Sequence, residues 1–123
     1  MKIDSLDTFQ KNVDELLARN RNILDILTKC QISSSKISRN TIKSATACGC
    51  IKIAGKKTDF TKKEISSCVN GVLCKECKSL IENEIGENLF YVASLCNALN
   101  LNLSEILSKE IKNLKTLGKY SLH

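Results

Sequence analysis

Two short-spaced cysteine pairs constrain this chain more than any other feature. They are Cys48-Gly49-Cys50 and Cys74-Lys75-Glu76-Cys77. Two close pairs joined by a longer stretch are how a small domain assembles a tetrahedral site of four thiolates. In the first pair, the intervening glycine lets the backbone turn so that both sulfurs face the same way. In the second, the spacing falls at the start of a helical pattern, where the positive helix end favours thiolate. Cys48, Cys50, Cys74 and Cys77 are therefore the candidate metal ligands, with Cys68 a possible substitute. The lone histidine, His123, stands in the tail and does not compete. Zinc is the expected metal, because it accepts four sulfurs and needs no redox chemistry. An iron–sulfur cluster uses the same ligand count and stays open as the alternative. The remaining alternatives are reduced thiols without metal and a redox-labile pair at Cys74 and Cys77.

The compartment bears on that choice. Met1-Lys2-Ile3-Asp4 lacks the apolar core of a signal peptide. The apolar runs are too short to cross a bilayer. A cytoplasmic setting is expected, where clustered cysteines bind metal or do redox chemistry more often than they form structural disulfides. The count of seven cysteines is also odd. Cys30 and Cys96 lie on apolar faces and read as core residues.

With 123 residues and no proline, the chain has room for one domain. That domain is expected over residues 1–118, with 48–77 as its cysteine-rich metal-binding segment and 119–123 as a tail. The hydrophobic spacing is helical almost throughout. Leu6, Phe9, Val13, Leu16, Asn20, Ile23, Leu27 and Cys30 alternate at steps of three and four, which predicts one long first helix from about Ser5 to Lys29. Asn20 sits inside that seam, where a buried amide can fix register or partner number. So long a seam in so short a chain leads us to expect a homodimer. The polar stretch from Gln31 to Ser35 reads as a break, followed by a second helix from Ser34 or Ser35 to about Ala47. Thr61 and Glu64 form a capping box for a short helix ending near Cys68, and Asn70-Gly71 reads as its breaker. A strong 3.6-residue pattern follows, through Leu80, Ile81, Ile85, Leu89, Val92, Ala93, Cys96 and Leu99. Asn102 or Ser104 should cap the last helix, and Gly118 is placed as its left-handed cap. The expected fold is all-α, with four to five helices.

Net charge is +6, concentrated in the middle of the chain. Lys36, Arg39 and Lys43 are spaced to line one side of a helix and are candidate contacts for a phosphate or other anionic ligand. The bland reading is a solvated lysine-rich face. Nucleic acid is a weaker partner, because only Phe60 offers a ring for base stacking in this stretch.

One close pair of acids stands on a well-patterned helix, in Glu84-Ile85-Gly86-Glu87, which continues through Asn88-Leu89-Phe90-Tyr91-Val92-Ala93 and Asn100-Leu101-Asn102-Leu103-Ser104-Glu105. Over about residues 82–117 this resembles the C-terminal half of the MazG-type all-α nucleotide pyrophosphohydrolases. In that family two helices each supply an acidic pair that holds magnesium against a nucleoside triphosphate. The resemblance implies a MazG-like helical bundle completed by dimerisation, and it makes Glu84 and Glu87 catalytic candidates, with glutamate where the family has aspartate. The family's first acidic pair has no match here. The helix in its place carries Lys36, Arg39 and Lys43 and no acid.

Three functional readings follow. One is a metal-stabilised helical binding or regulatory protein without catalytic machinery. Another is a divergent pyrophosphohydrolase using magnesium at Glu84 and Glu87. The third is a thiol-based redox or metal sensor.

Overall fold

The computed structural model describes residues 5–17, 22–54 and 68–119. These residues are mostly helical. The elements in chain order are α1 (Leu6–Leu16), α2 (Ile23–Lys43), a π-helical turn (Ser44–Cys48), β1 (Ile51–Ile53), β2 (Val69–Gly71), α3 (Lys75–Ala98) and α4 (Leu103–Lys119). The two strands form an antiparallel ribbon that pairs Ile51 with Gly71 and Ile53 with Val69. This ribbon is the one departure from an all-helical architecture among the described residues. No described helix is long and apolar enough to cross a membrane.

The expected division of the N-terminal half shifts. α1 ends at Leu16, and a new helix begins at Ile23, so the single helix expected over Ser5–Lys29 is two. The start signals explain this. Ser5 caps α1, its Oγ accepting from the Thr8 amide at 3.0 Å. Asn22 caps α2 in the same way, its Oδ1 accepting from the Leu24 amide at 2.9 Å. The expected break at Gln31–Ser35 is instead continuous helix within α2. Ser33 is buried there and accepts from Asn88 Nδ2 at 2.9 Å. A small hydroxyl residue facing another helix serves close packing and does not interrupt the turn. The proposed seam is also incomplete: Val13 is buried while Leu16 is 77% exposed. Asn20 and the short helix expected from Thr61 lie outside the described residues.

The chain forms two compact units. The first comprises residues up to Cys30 together with those from Leu89 onward, and the second is Gln31–Asn88. The first unit holds Val13, Ile26, Ala93 and Cys96 in its core. Its polar centre is Gln10. Gln10 Nε2 donates to Asn97 Oδ1 at 2.8 Å and to the Leu101 carbonyl at 2.7 Å. Gln10 Oε1 accepts from the Leu103 amide at 2.8 Å, and Asn97 Nδ2 donates back to the Gln10 carbonyl at 3.1 Å. These bonds tie α1 to the turn between α3 and α4. That turn closes with Asn100 in the left-handed region at φ 57°. The Leu101 amide reaches the Cys96 carbonyl and the Asn100 amide reaches the Asn97 carbonyl, the paired bonds of a Schellman ending. Of the two expected caps of α4, Asn102 is the one used, its Oδ1 accepting from the Glu105 amide at 2.9 Å.

α4 runs on through Lys119, so Gly118 is a helical residue and not the left-handed cap expected of it. Every α4 residue from Glu105 to Gly118 is exposed, including Ile106, Leu107, Ile111, Leu114 and Leu117.

In the second unit Ile51 is the only fully buried apolar side chain among the described residues, beside the buried hydroxyls of Ser33 and Ser44.

Candidate metal centre

The four cysteines of the two pairs arrive at one place on three different structural devices. The first is the end of α2. Its last turn widens into the π-helical turn, where the Gly49 amide reaches back five residues to the Ser44 carbonyl at 2.9 Å. Gly49 takes φ +81°, the left-handed conformation that ends a helix without a side-chain clash. Cys48 and Cys50 flank this glycine. The second device is the ribbon. Gly71 stands at φ +96°, and a Cβ there would lie 2.7 Å from the Cys50 carbonyl oxygen. Only glycine lets β2 approach Cys50 this closely. The third is the start of α3. Cys74 immediately precedes its first residue, and its Sγ accepts from the Cys77 amide at 3.4 Å, so a sulfur serves as the helix cap.

The result is a cluster. The Sγ atoms of Cys48, Cys50, Cys74 and Cys77 all lie within 4.8 Å of one another. Cys48 Sγ and Cys74 Sγ are 3.7 Å apart. Four sulfurs bound to one zinc at about 2.3 Å stand roughly 3.8 Å from each other at the corners of a tetrahedron. The observed spacing fits that arrangement and is far from the roughly 2.05 Å of a disulfide bond. None of the seven cysteines is in a disulfide.

Electrostatics explain what such a cluster demands. Ser44 pulls the Cys77 thiol down, but its hydrogen bonding with Cys74, desolvation, and the neighbouring Cys48 and Cys50 outweigh that, and the thiol is pushed up to about 12. The Cys74 side chain likewise raises Cys48. Cys50 is lowered, chiefly by a backbone hydrogen bond at Cys74. Four sulfurs this close cannot all carry negative charge without a counter-charge. A bound dication reverses the balance, because coordination deprotonates thiols outright.

Cys68 stands outside the group of four. It takes φ +64° at the entry to β2, and its carbonyl accepts from the Ala54 amide at 2.8 Å. Cys96 is buried and Cys30 half-buried, and desolvation raises both thiols, as expected of core residues.

Ser44 supports this site without having been a candidate from the sequence. It is 1% exposed, its Oγ donates to the Asn40 carbonyl at 3.0 Å, and its own carbonyl takes both the Gly49 amide and the Cys50 thiol, the latter at 3.7 Å. A serine four residues before a Cys-Gly-Cys turn was the available signal. Gly71 was read as a helix breaker, whereas its work is close approach within the ribbon.

The other candidates occupy the second unit as well. Lys36 Nζ is 4.0 Å from Glu87 Oε1, a half-exposed pair. Arg39 and Lys43 follow on α2 and are exposed. Glu84 Oε2 is buried and has no hydrogen-bond partner, the one such side-chain atom among the described residues.

Comparison with known proteins adds nothing to this geometry: no family model, no curated protein and no solved structure matches the chain.

Proposed function

We propose that this is a metal-stabilised helical binding or regulatory protein, with zinc held by Cys48, Cys50, Cys74 and Cys77. The observation that carries the reading is the convergence of four thiols, from two separate stretches of the second unit, to within 4.8 Å. The metal's part is structural. It ties the end of α2, the ribbon and the start of α3 together in a unit whose described residues include a single buried apolar side chain. Zinc is favoured by the all-sulfur ligand set and by a Sγ–Sγ spacing that matches a tetrahedral edge. Elemental analysis and an absorption spectrum of freshly purified protein test this. We expect about one colourless metal ion per chain, lost in a Cys74→Ser/Cys77→Ser variant. A coloured, iron-containing sample would replace zinc with a cluster.

A second reading draws on Glu84. A buried carboxylate oxygen without a hydrogen bond suits a cation. Glu87 stands one turn on, where it already faces Lys36. Magnesium bridged to substrate phosphates would suit that oxygen, in keeping with a divergent nucleotide pyrophosphohydrolase. It requires magnesium-dependent pyrophosphate release from at least one nucleoside triphosphate, abolished by Glu84→Gln. A silent panel of nucleotides ends this reading and leaves the metal centre untouched.

A further inference from the structure

We infer that the cysteine cluster is a peroxide-responsive centre, in which oxidation joins Cys48 to Cys74 and expels the metal. The inference rests on the metal reading above and adds its regulation. Three observations carry it.

Access comes first. Cys48 is the exposed member of the four, while Cys50, Cys74 and Cys77 are half-buried. A thiolate bound to a metal keeps its nucleophilic character, so the exposed one meets a soluble hydroperoxide before the others.

Proximity comes second. Cys74 Sγ is 3.7 Å from Cys48 Sγ, on a different element and across the ribbon in sequence. The two other partners open to Cys48 are less suited. Cys50 is two residues away, where a disulfide would close a small ring, and its thiol points at the Ser44 carbonyl. Cys77 belongs to the first turn of α3, while Cys74 sits before it with its sulfur at the helix cap.

Chemistry comes third. The Cys48 thiolate attacks the peroxide O–O bond and takes one oxygen as a sulfenic acid, and the other oxygen leaves as hydroxide. The Cys74 thiolate then attacks the Cys48 sulfur, forms the S–S bond and displaces a second hydroxide. Two thiolates lose two electrons in total, and one hydrogen peroxide and two protons become two waters. The metal keeps its charge and loses two of its four ligands. Two remaining thiolates do not make a closed tetrahedral site, so the ion departs.

Oxidation thereby exchanges one cross-link for another. Metal and disulfide close the same segment between Cys48 and Cys74, so the unit stays tied while its charge and metal change.

The experiment uses the full chain, its metal content measured first. Hydrogen peroxide is added in steps. Released metal is followed with a chromogenic chelator, and the thiols are alkylated and mapped by mass spectrometry. We expect one metal ion released for each disulfide formed, a loss of two of the seven thiols, and Cys48–Cys74 as the first linkage. A thiol reductant plus metal should restore the starting state. A metal-loaded chain that first links Cys74 to Cys77 or Cys48 to Cys50 overturns the inference. So does one that keeps its metal while peroxide carries Cys48 to sulfinic acid. A chain that holds no metal before peroxide is added overturns the reading beneath it, and that result is distinct because it appears before oxidation begins.

Discussion

The two units of this chain solve the same problem by different means. In the first, Val13, Ile26, Ala93 and Cys96 are buried together, and the Gln10–Asn97 amide pair fastens α1 to the turn before α4. Among the described residues of the second, Ile51 alone is a buried apolar residue, and four sulfurs converge to within 4.8 Å of one another. A segment that buries few apolar side chains gains too little from burial to offset its chain entropy. A metal ion held by the four cysteines would substitute for that missing burial. In small zinc-binding peptides the ion supplies about 10–16 kcal/mol of apparent folding free energy, more than a modest core contributes.

Removing the metal should therefore separate the units most clearly. We expect amide protection of β1, β2 and the first turn of α3 to collapse on chelation, while the amides of α1 and the Asn97–Leu103 turn keep theirs. Hydrogen exchange followed by mass spectrometry reads both at once. Equal protection in the two units after chelation would show that the second holds itself together. The sulfur ligands also set a pH dependence: metal affinity falls as pH is lowered, because protons compete for the thiolates.

Gln10→Ala probes the first unit in the same spirit, with a smaller effect. It leaves the Leu103 amide, the Leu101 carbonyl and Asn97 Oδ1 without their Gln10 side-chain partner in a half-buried setting, while Asn97 Nδ2 keeps the residue-10 carbonyl. A loss of about 2–3 kcal/mol is expected, since buried polar groups left unpaired cost about 1–3 kcal/mol. Urea unfolding monitored in the metal-loaded protein measures it, and metal content should not change. A parallel loss of metal would mean that the units are not energetically separate.

Lys36→Ala should have the least effect. The pair with Glu87 is long, at 4.0 Å, and both side chains are more than 40% exposed. Such pairs contribute roughly 0.2–1 kcal/mol, and less at high salt. A larger change in the same urea experiment would give Lys36 a role beyond the ion pair.

Much of this was legible in the residues. The run from Leu80 to Leu99 announced α3, because 3.6-residue periodicity persists over many turns, and Asn102 announced the start of α4. The four cysteines were legible because two close pairs have the spacing of a four-thiolate metal site. The errors fell where local signals compete. Serines from Ser33 to Ser35 read as a break, since serine favours turns, yet Ser33 faces Asn88 across a helix contact that no local pattern reveals. Leu16 fitted a seam by spacing, but its helix ends there. Gly118 resembled a cap, but α4 continues past it.

By itself, then, the sequence determined the helical character, the identity of the four sulfurs and the polarity of the helix ends, because these depend on residues near one another along the chain. The tertiary structure decided three things: that the cysteine pairs meet, that Gly71 admits β2 to Cys50, and that Ser44 supports the turn between them. Each depends on atoms brought together from distant positions, and distance in space is set by how the whole unit packs.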